Sequence, residues 1–466
     1  MTGALLITGG TPLRGHVQAA GSKNAALPMM AAALLADGPL VLDGLPQLTD
    51  VATLCRVLTE LGVEAVWNQV VPAGSPAKKA PTPAHARRDG GDGPRQPEPG
   101  PMPDLGSSGR LYLQVRDPAP IRARYELVRR MRASFCVLGP LLARRGKAVV
   151  SLPGGCRIGP RPVDLHLKGL AALGAELTVA HGYVIARAKR LRGATIDLGG
   201  PAGPTVTGTA NVLSAAVLAR GETLILGAAR EPEIVDLGHL LGKMGARIDG
   251  LGTGTVRVRG VESLGGARHR IIPDRIEAAT LALAVVATGG AAEIAGVVPE
   301  HLAAVLDRLA HTGADVGSGP DWIRVGAPRT LRPCGIVAEP YPGIPSDVQA
   351  QWTALMSRVA GRSVVRDHVF PQRFAHVPEL VRLGARIGLA HRAAMVNGVE
   401  RLSGATVTAS DLRASAALVV AGLAARGKTR VENVHWLDRG YEALDRKLTG
   451  LGAAIKRAEA GVLAQA

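Results

Sequence analysis

The feature that most constrains the fold of this chain is one helix-to-strand pattern that occurs six times. In each copy a helix-like run ends at a glycine and a strand-like run follows. Glycine is the usual residue at the left-handed end of a helix. Successive glycines lie 112, 71, 68, 71 and 68 residues apart, which predicts six copies of one structural unit. The six positions are Gly62, Gly174, Gly245, Gly313, Gly384 and Gly452.

A second kind of helix-like run alternates with the first and carries almost no charge after its first turn. Examples are the runs that open AAALLADGPLVL and AAVLARGETLIL. A helix that is apolar on all sides is enclosed within a domain. Each unit is therefore expected to hold an apolar helix buried behind a sheet, followed by a strand, an amphipathic helix and further strands. This is not a Rossmann repeat, and six such units favour two halves of three that meet near residues 266–273.

One stretch of the chain does not fit the repeat. The spacing of 112 residues is longer than the others, and the excess lies in residues 71–109. This stretch is rich in proline, glycine and alanine and shows no apolar periodicity. Such a composition cannot bury a core, so we expect a disordered surface insertion.

Charge and composition narrow the class of partner. The 466 residues allow two to three domains and include 55 Lys and Arg against 38 Asp and Glu, a net charge of +17. Such a charge suits nucleic acid, an acidic membrane surface or anionic small molecules. The basic residues are scattered, and aromatic residues that could stack on bases make up only 3% of the chain. We therefore expect anionic small-molecule substrates and no nucleic acid.

Cysteine usage and hydropathy indicate the compartment. The four cysteines are not closely spaced, so neither a disulfide framework nor a cysteine zinc site is indicated, and a reducing compartment is favoured. The N-terminus lacks the charged and apolar regions of a signal peptide. The longest apolar runs, such as residues 25–36, are too short to cross a membrane. We expect a cytoplasmic protein without a membrane partner; the sequence leaves the oligomeric state open.

Residues 151–166, SLPGGCRIGPRPVDLH, form a glycine-rich loop with reactive residues. A strand is expected before it at Lys147–Leu152, and a helix after it at Val163–Leu173. Pro162 suits the first position of that helix. The glycines allow backbone angles that other residues avoid and let a ligand approach the main chain.

The loop also holds a cysteine between two arginines. The positive charges of Arg157 and Arg161 favour the thiolate of Cys156 and should lower its pKa. The alternative is that this thiol is a small buried apolar residue, as free cysteines often are. Cys55 and Cys136 lie in apolar runs and are expected to be core residues of that kind.

Cations at the starts of the buried helices point to an anion site. A cation in the first turn opposes the helix dipole, at a cost of a few tenths of a kcal/mol. Capping therefore does not explain Lys23, Arg132 or Arg413. If the repeat brings several helix starts into one cleft, the cleft would attract anions. Capping alone would explain Ser22, Thr209 and Asp411.

Nine short motifs, in one order along the chain, carry a resemblance to the enolpyruvyl transferases. They extend from about residue 15 to about residue 456, apart from the insertion. The resemblance implies an α/β fold of two inside-out α/β barrel domains, each of three βαβαββ units. The domains would be residues 21–271 and residues 1–20 with 272–466. The motifs are GSKNAALP, MRAS, SLPGGCRIGPRPVDLH, AAREPEIVD, PDRIE, PSDVQAQ, RFAHVPEL, SDLRAS and LDRGYE.

The resemblance also implies a reaction. The enolpyruvyl group of phosphoenolpyruvate would move to the 3'-hydroxyl of UDP-N-acetylglucosamine with release of phosphate, the first committed step of peptidoglycan synthesis. No metal and no organic cofactor are implied. Phosphoenolpyruvate carries a phosphate and a carboxylate, so several cations must hold it.

The resemblance assigns roles in the chemistry and in binding phosphoenolpyruvate. Cys156 matches a loop cysteine that adds to phosphoenolpyruvate, and the glycines of its loop would let it swing over the cleft as a lid. Asp347 would be the base for the 3'-hydroxyl, and Asp411 would take part in proton transfer at the methyl carbon. The phosphate would bind Lys23, also a catalytic residue, with Arg161 and Arg439; the carboxylate would bind Arg373 and Arg413, and Arg132 would line the same region.

The UDP-sugar would bind a second set of residues by the same resemblance. Asn24 would orient the sugar, and the loop at Arg161–Leu165 would hold the uridine. The full set is Asn24, Arg161, Pro162, Val163, Asp164, Leu165, Thr205, Val206, Asp347 and Val369.

Three departures from the family pattern lie on the side of the acceptor. Residues 204–211 read PTVTGTAN where the family usually has a Ser-Val-Gly-Ala-Thr run, so Thr207 replaces a glycine. Gly203 stands where relatives often carry lysine, and residues 371–372 are Pro-Gln in place of Glu-Asn. An alternative is therefore an enolpyruvyl transferase that uses another uridine nucleotide in a side biosynthetic pathway.

The sequence argues against two further functions. The 3-phosphoshikimate branch of the family lacks the loop that bears Cys156. A paralogue that only binds nucleotide, or a basic surface that binds RNA, would have no need of Cys156, Asp347 and Asp411 together.

The first testable prediction concerns the loop cysteine. Fosfomycin, or phosphoenolpyruvate with nucleotide, should add covalently to Cys156, because its thiolate is favoured by the flanking arginines. Peptide mass spectrometry would locate the adduct. An unmodified Cys156 together with a modified Cys334 would contradict this assignment.

Overall fold

A computed structural model describes residues 3–68, 109–154, 162–201, 203–390 and 392–458 of the chain. Most of the expected insertion and residues 155–161 of the glycine-rich loop lie outside these ranges. Gly109, expected as the last residue of the insertion, instead begins a strand. No helix in the described ranges is both long enough and apolar enough to cross a membrane.

The chain alternates strands with helices along its length. The strands are β1 (Ala4–Thr8), β2 (Arg14–Gln18), β3 (Leu40–Leu45), β4 (Val63–Asn68), β5 (Gly109–Val115), β6 (Arg122–Ala123), β7 (Lys147–Ser151), β8 (Glu176–Ala180), β9 (Tyr183–Arg187), β10 (Thr195–Asp197), β11 (Gly199–Gly200), β12 (Gly203–Pro204), β13 (Glu222–Leu226), β14 (Arg247–Asp249), β15 (Thr255–Arg259), β16 (Ala267–Arg270), β17 (Ala291–Ala295), β18 (Asp315–Ser318), β19 (Trp322–Gly326), β20 (Ile336–Ala338), β21 (Gly361–Asp367), β22 (Arg386–Ala390), β23 (Ala393–Gly398), β24 (Thr406–Thr408), β25 (Lys428–Glu432) and β26 (Ala454–Ala458).

The helices fall between these strands. The α-helices are α1 (Lys23–Ala32), α2 (Thr49–Glu60), α3 (Tyr125–Val128), α4 (Leu138–Arg145), α5 (Asp164–Ala172), α6 (Val206–Ala216), α7 (Pro232–Lys243), α8 (Arg275–Ala287), α9 (Ala303–His311), α10 (Ser346–Met356), α11 (Val377–Arg382), α12 (Leu412–Ala424) and α13 (Leu444–Gly450). Short 3-10 helices cover Ala33–Leu35, Arg132–Val137, Pro299–Leu302 and Val434–Arg439.

Six four-stranded sheets share one strand pattern, as the repeat predicts. In each sheet one edge strand is parallel to its neighbour, and the other two pairs are antiparallel. The orders are β16-β3-β5-β4, β6-β7-β9-β8, β10-β13-β15-β14, β2-β17-β19-β18, β20-β21-β23-β22 and β24-β25-β1-β26. These sheets and the helices between them give the α/β class expected from the sequence.

The N-terminal strands complete sheets formed mainly by the second half of the chain. Strand β1 lies between β25 and β26, and β2 is the parallel edge strand beside β17. Strand β16 plays the corresponding part in the first half, beside β3. Each half is therefore closed by a strand from a distant part of the sequence.

The apolar helices lie inside and the sheets enclose them. Every residue of α8 is buried, and so are residues 412–423 of α12. These two helices pack against α10, while α1 and α4 pack near α6. Because these helices are apolar on all sides, only a surrounding layer of strands and amphipathic helices removes them from water.

Two separate hydrophobic cores result. One core draws its residues from between Ala25 and Ile271. The other draws them from Leu5 to Ala19 and from Ile276 to Ile455. We therefore propose the domain bounds expected from the sequence, 21–271 and 1–20 with 272–466.

Two local expectations about helix starts are wrong. Thr209 does not cap α6; Thr205 does, by accepting from the Gly208 N–H, and the Thr209 hydroxyl accepts from the Ala229 N–H inside the core. Pro162 is not the first residue of α5, which begins at Asp164. The α6 cap lies one turn earlier than expected, and α5 begins two residues later, after Val163, which makes no side-chain cap. Sequence alone locates helix ends only to within a few residues.

Strand β1 provides a test of the closure by the N-terminus. Ile7 is 1% exposed in the core, whereas Leu6 lies on the opposite, half-buried face of the same strand. Ile7→Ala should lower the free energy of unfolding by about 2–5 kcal/mol, because it leaves a cavity among rigid neighbours.

Leu6→Ala is the matched control and should have less than half that effect. Urea denaturation of both variants measures the difference. Equal losses for the two variants would contradict the position of β1 in the middle of its sheet.

Candidate active site

The candidate site lies between the two cores, where the first turns of three buried helices meet. Lys23 and Asn24 begin α1, Asp347 lies in the first turn of α10, and Arg413 lies in the first turn of α12. The Asn24 amide donates to Asp347 Oδ2 at 3.4 Å, which joins the two halves of the chain. The structure thus brings these predicted site residues together in one cleft.

Asp347 is held between two buried arginines. Arg373 Nη1 lies 2.7 Å from Asp347 Oδ1, and Arg413 Nη2 lies 2.8 Å from Oδ2. Burial would raise the pKa of Asp347, but the charges of Arg413 and Arg373 outweigh it and hold that pKa well below its ordinary value. The Asp347 side chain is still 26% exposed, so an ionised carboxylate faces the cleft.

A second carboxylate fixes the loop that carries Val369. Asp367 accepts from the N–H groups of Val369 and Phe370 at 2.9 and 2.7 Å. The hydroxyl of Ser346 also donates to Asp367, and Arg373 donates to Ser346 at 3.2 Å. Arg373 and Val369 are therefore positioned by the start of α10. Burial raises the pKa of Asp367.

Arg413 is oriented by its surroundings as well as by Asp347. Its guanidinium lies 5.2 Å from the centre of the Tyr441 ring. The Tyr441 hydroxyl lies 3.0 Å from the Thr280 hydroxyl and accepts from Gln351 at 2.9 Å. Burial would lower the pKa of Arg413, but the negative charge of Asp347 outweighs that effect. The pKa of Arg413 is therefore raised, and its charge is permanent.

Asp411 has a structural role that the sequence also allowed. It is the N-cap of α12, and its Oδ1 accepts from the N–H groups of Arg413 and Ala414 at 2.9 and 3.1 Å. It is 3% exposed, beside the arginine that binds Asp347. This capping fixes the backbone of Arg413 at the start of α12, and with it the point from which the Arg413 side chain extends.

A second ion-pair group joins the two cores. Asp50 Oδ2 lies 2.6 Å from Lys23 Nζ, and Asp50 Oδ1 lies 2.7 Å from Arg439 Nε. Burial would raise the pKa of Asp50, but Lys23 and Arg439 together lower it. One carboxylate facing two cations leaves a net positive charge at this point.

Asp50 was missed by the sequence analysis. An acidic residue in the first turn of an amphipathic helix is common, because its negative charge interacts favourably with the helix dipole. Nothing in the sequence places Asp50 beside Arg439. A nearby contact supports the same junction, since Glu442 Oε1 accepts from the Gln47 N–H at 2.7 Å.

Several residues that the sequence predicts for the UDP-sugar form a third group around the start of α6. Arg132 Nη2 donates to the Pro162 carbonyl at 2.8 Å. His166, 2% exposed, lies 3.1 Å from the Thr207 hydroxyl. Burial, with the nearby charge of Arg132, lowers the pKa of His166 to about 3, so this ring is neutral. Of the other predicted residues here, Pro162 and Asp164 are exposed, Val163, Leu165 and Val206 are partly buried, and Thr205 caps α6.

Two predicted residues, Cys156 and Arg161, lie outside the described residues. Burial raises the pKa of Cys55 and of Cys136 to about 12, so neither is a thiolate at neutral pH. Cys136 is buried as expected, and Cys55 is partly buried. Within the described ranges, no group of three or more His, Cys, Asp or Glu is placed to hold a metal ion.

The arrangement fits a small molecule with two anionic groups. Lys23 with Arg439, and Arg373 with Arg413, form two cationic pairs, each bridged by one carboxylate. Charge-assisted hydrogen bonds to such pairs are strong and directional. Asp347 supplies an ionised carboxylate beside them that can accept a proton.

Comparison with known proteins gives one consistent family. Residues 7–92 and 108–448 match the family EPSP synthase (3-phosphoshikimate 1-carboxyvinyltransferase). The chain is 48% identical over 455 residues to a UDP-N-acetylglucosamine 1-carboxyvinyltransferase of Koribacter versatilis, covering 97% of this chain and 96% of that protein. It is 46% identical over 456 residues to the protein of that name in Myxococcus xanthus, covering 98% and 99%.

Solved structures agree on the fold. The enolpyruvyl transferase NikO from Streptomyces tendae superposes with a TM-score of 0.81 at 26% identity, covering 98% of this chain and 99% of that one. EPSP synthase from Acinetobacter baumannii superposes with a TM-score of 0.68 at 15% identity, covering 98% and 100%, which supports the fold alone.

The ion pairs of Asp347 predict a pH-dependent stability. Asp347→Asn should lower the free energy of unfolding by about 2–4 kcal/mol at pH 7, because it leaves two buried guanidinium groups without their anion. Because the folded-state pKa is depressed, the contribution of Asp347 is complete above the pKa of the unfolded chain, about 3.9. It is lost as pH falls through the folded-state pKa.

The difference between Asp347→Asn and the unmodified protein should therefore be equal at pH 7 and pH 5 and shrink below about pH 4. Denaturant titrations at several pH values measure it. Asp321→Asn, at an exposed position with no ion pair among the described residues, is the control. A difference that vanishes by pH 5 would contradict the pairing.

Proposed function

Because the chain belongs to the EPSP synthase family of enolpyruvyl transferases, we propose that it is a UDP-N-acetylglucosamine 1-carboxyvinyltransferase. It transfers the enolpyruvyl group of phosphoenolpyruvate to the 3'-hydroxyl of UDP-N-acetylglucosamine and releases phosphate. The observation that carries this conclusion is the identity of 46–48% with two proteins of that name over nearly the whole chain. The reaction is the first committed step of peptidoglycan synthesis.

The charges of the cleft suit the donor. The phosphate of phosphoenolpyruvate would bind Lys23 and Arg439, which Asp50 holds together across the cleft. Its carboxylate would bind Arg373 and Arg413. Arg132 and Arg161 would add positive charge from the first half of the chain. These fixed cations need no rearrangement as charge develops in the reaction.

Asp347 would act as the base for the sugar hydroxyl. Both its oxygens bind arginines, which keeps it ionised but weakly basic. The carboxylate of phosphoenolpyruvate would compete for Arg373 and Arg413. This competition weakens the hold on Asp347 and raises its pKa toward that of an effective base.

In the proposed reaction, each bond that forms is matched by a bond that breaks. A proton adds to the CH2 carbon of phosphoenolpyruvate, and the sugar oxygen, having lost its proton to Asp347, forms a bond to C2. A proton then leaves the new methyl group, the bond from C2 to the phosphate oxygen breaks, and phosphate departs. Asp411 would take part in proton transfer at the methyl carbon, Lys23 would bind the phosphate as a catalytic residue, and Cys156 would close over the cleft.

The acceptor would lie on the side of α5 and α6. Asn24 would orient the sugar toward Asp347, to which it is already hydrogen-bonded. Arg161, Pro162, Val163, Asp164 and Leu165 would hold the uridine, with Thr205, Val206 and Val369 completing the site. We propose that the protein acts in the cytoplasm, on these two small-molecule substrates.

An acceptor panel tests this function. Phosphate release from phosphoenolpyruvate should depend on UDP-N-acetylglucosamine, because the sugar must be held with its 3'-hydroxyl beside Asp347, where Asn24 would orient it. UMP and other UDP-sugars should give far slower release. A colorimetric phosphate assay measures the rates, with a reaction lacking any nucleotide as the blank.

The departures at Gly203, Thr207 and residues 371–372 make the panel informative. Release with another uridine nucleotide, and none with UDP-N-acetylglucosamine, would instead establish the alternative acceptor. The chain would then remain an enolpyruvyl transferase with a different biosynthetic role.

A further inference from the structure

A chain of hydrogen bonds behind the start of α6 begins at a buried asparagine with only one possible orientation. Asn211 is fully buried. Its Oδ1 accepts from the Gly139 N–H at 2.6 Å, and its Nδ2 donates to the Phe135 carbonyl at 3.0 Å. Exchanging the two atoms would set donor against donor and acceptor against acceptor. The two backbone groups therefore determine which way the amide points.

The orientation of Asn211 determines the tautomer of His166. The second hydrogen of Asn211 Nδ2 points at His166 Nδ1, 3.0 Å away. Nδ1 must accept this hydrogen bond, so it carries no proton. In a neutral imidazole the proton then resides on Nε2. The low pKa of this buried ring agrees with the neutral form.

The tautomer in turn determines the direction of the Thr207 hydroxyl. His166 Nε2 lies 3.1 Å from Thr207 Oγ1 and must be the donor. A hydroxyl has one hydrogen to donate, and that hydrogen must point away from the histidine. Thr207 is partly exposed, and within the described ranges no group accepts this hydrogen. The result is a hydroxyl fixed as a donor toward the space in front of α6.

The surroundings of this hydroxyl favour an anion. Thr207 lies in the first turn of α6, where backbone N–H groups lack partners within the helix. The charge of Arg132 contributes to the lowered pKa of His166, and Arg132 Nη2 donates to the Pro162 carbonyl oxygen at 2.8 Å. A guanidinium, a helix start and an oriented hydroxyl hydrogen all present positive charge to the same region.

We infer that Thr207 is a binding residue for the nucleotide acceptor, and that its hydroxyl, oriented by His166 and Asn211, donates a hydrogen bond to a phosphate oxygen of that nucleotide. His166 and Asn211 act through Thr207 and are positioning residues. The inference deepens the proposed function, on which the identity of the nucleotide rests. It also accounts for a threonine at a position where a glycine could offer only its backbone.

Equilibrium binding tests the inference without requiring turnover. Titration calorimetry of UDP, UDP-N-acetylglucosamine and uridine would be carried out on the full chain and on Thr207→Val, which keeps the side-chain shape but loses the hydroxyl. Thr207→Val should weaken both phosphate-bearing ligands by about tenfold to a hundredfold, as expected for a lost hydrogen bond to a charged group. Uridine, which has no phosphate, should lose no affinity.

Thr207→Ser is the conservative control and should recover most of the affinity for UDP. Equal losses in the valine and serine variants would show that packing is responsible and would overturn the inference. So would a loss of uridine binding as large as the loss of UDP binding. In steady-state assays, Thr207→Val should raise the KM for the nucleotide and leave the KM for phosphoenolpyruvate unchanged.

The positioning role has its own readout. In protein labelled with 15N at histidine, the ring shifts of His166 should report the tautomer protonated at Nε2. His166→Phe should weaken UDP binding less than Thr207→Val does, and the double variant should bind no more weakly than Thr207→Val. A proton on Nδ1, or fully additive losses, would contradict the proposed chain of hydrogen bonds.

Failure of the inference and failure of the proposed function are distinguishable. If UDP-N-acetylglucosamine supports phosphate release and Thr207→Val binds UDP as tightly as the unmodified protein, only the inference falls. If UDP-N-acetylglucosamine supports no release but Thr207→Val still weakens UDP binding, the inference stands and the acceptor must be another nucleotide.

Discussion

Helices that are apolar on every side must be enclosed, and the rest of this structure depends on that requirement. All thirteen residues of α8 are buried, and the neighbouring α10 and α12 are nearly as inaccessible. Six sheets of one pattern surround such helices in two cores. The first turns of α1, α10 and α12 reach the space between the cores. Polar and charged residues can therefore lie there without disturbing the packing of the cores, and they line the cleft.

The charges in that cleft are paired incompletely. Asp50 and Asp347 each bind two cations, and each pairing includes a residue or a hydrogen bond from the opposite core. Buried charges that lack any partner would be strongly destabilising, so the two carboxylates stabilise the folded protein. The remaining positive charge is available to a substrate with two anionic groups. The same ion pairs thus serve stability before binding and selectivity during it.

The repeat and the sheets could be predicted from the sequence because glycine helix ends and uncharged runs are local signals. Cations in the first turns of buried helices indicated that Lys23 and Arg413 could share one cleft if the repeat brings those helix starts together. Only the resemblance placed Asp347 with them, since no local rule brings these three residues together. Asp50 could not be predicted, because its partner Arg439 lies 389 residues away. The hydrogen bonds that link Asn211, His166 and Thr207 could not be predicted either, since they depend on how separate elements pack against one another. Thr209 was mistaken for a cap because Thr205, one turn earlier, has the same side chain.

The central claim is that the cleft joins an enolpyruvyl group to the 3'-oxygen of a uridine-linked amino sugar. The most direct measurement is the structure of the product. Phosphoenolpyruvate labelled with 13C at C2 would be incubated with the protein and UDP-N-acetylglucosamine, and the nucleotide product examined by mass spectrometry and carbon–proton correlation NMR. The account predicts an enol ether whose labelled carbon couples to the proton at C3' of the sugar. Recovery of unmodified nucleotide, or a label attached at another position, would contradict it.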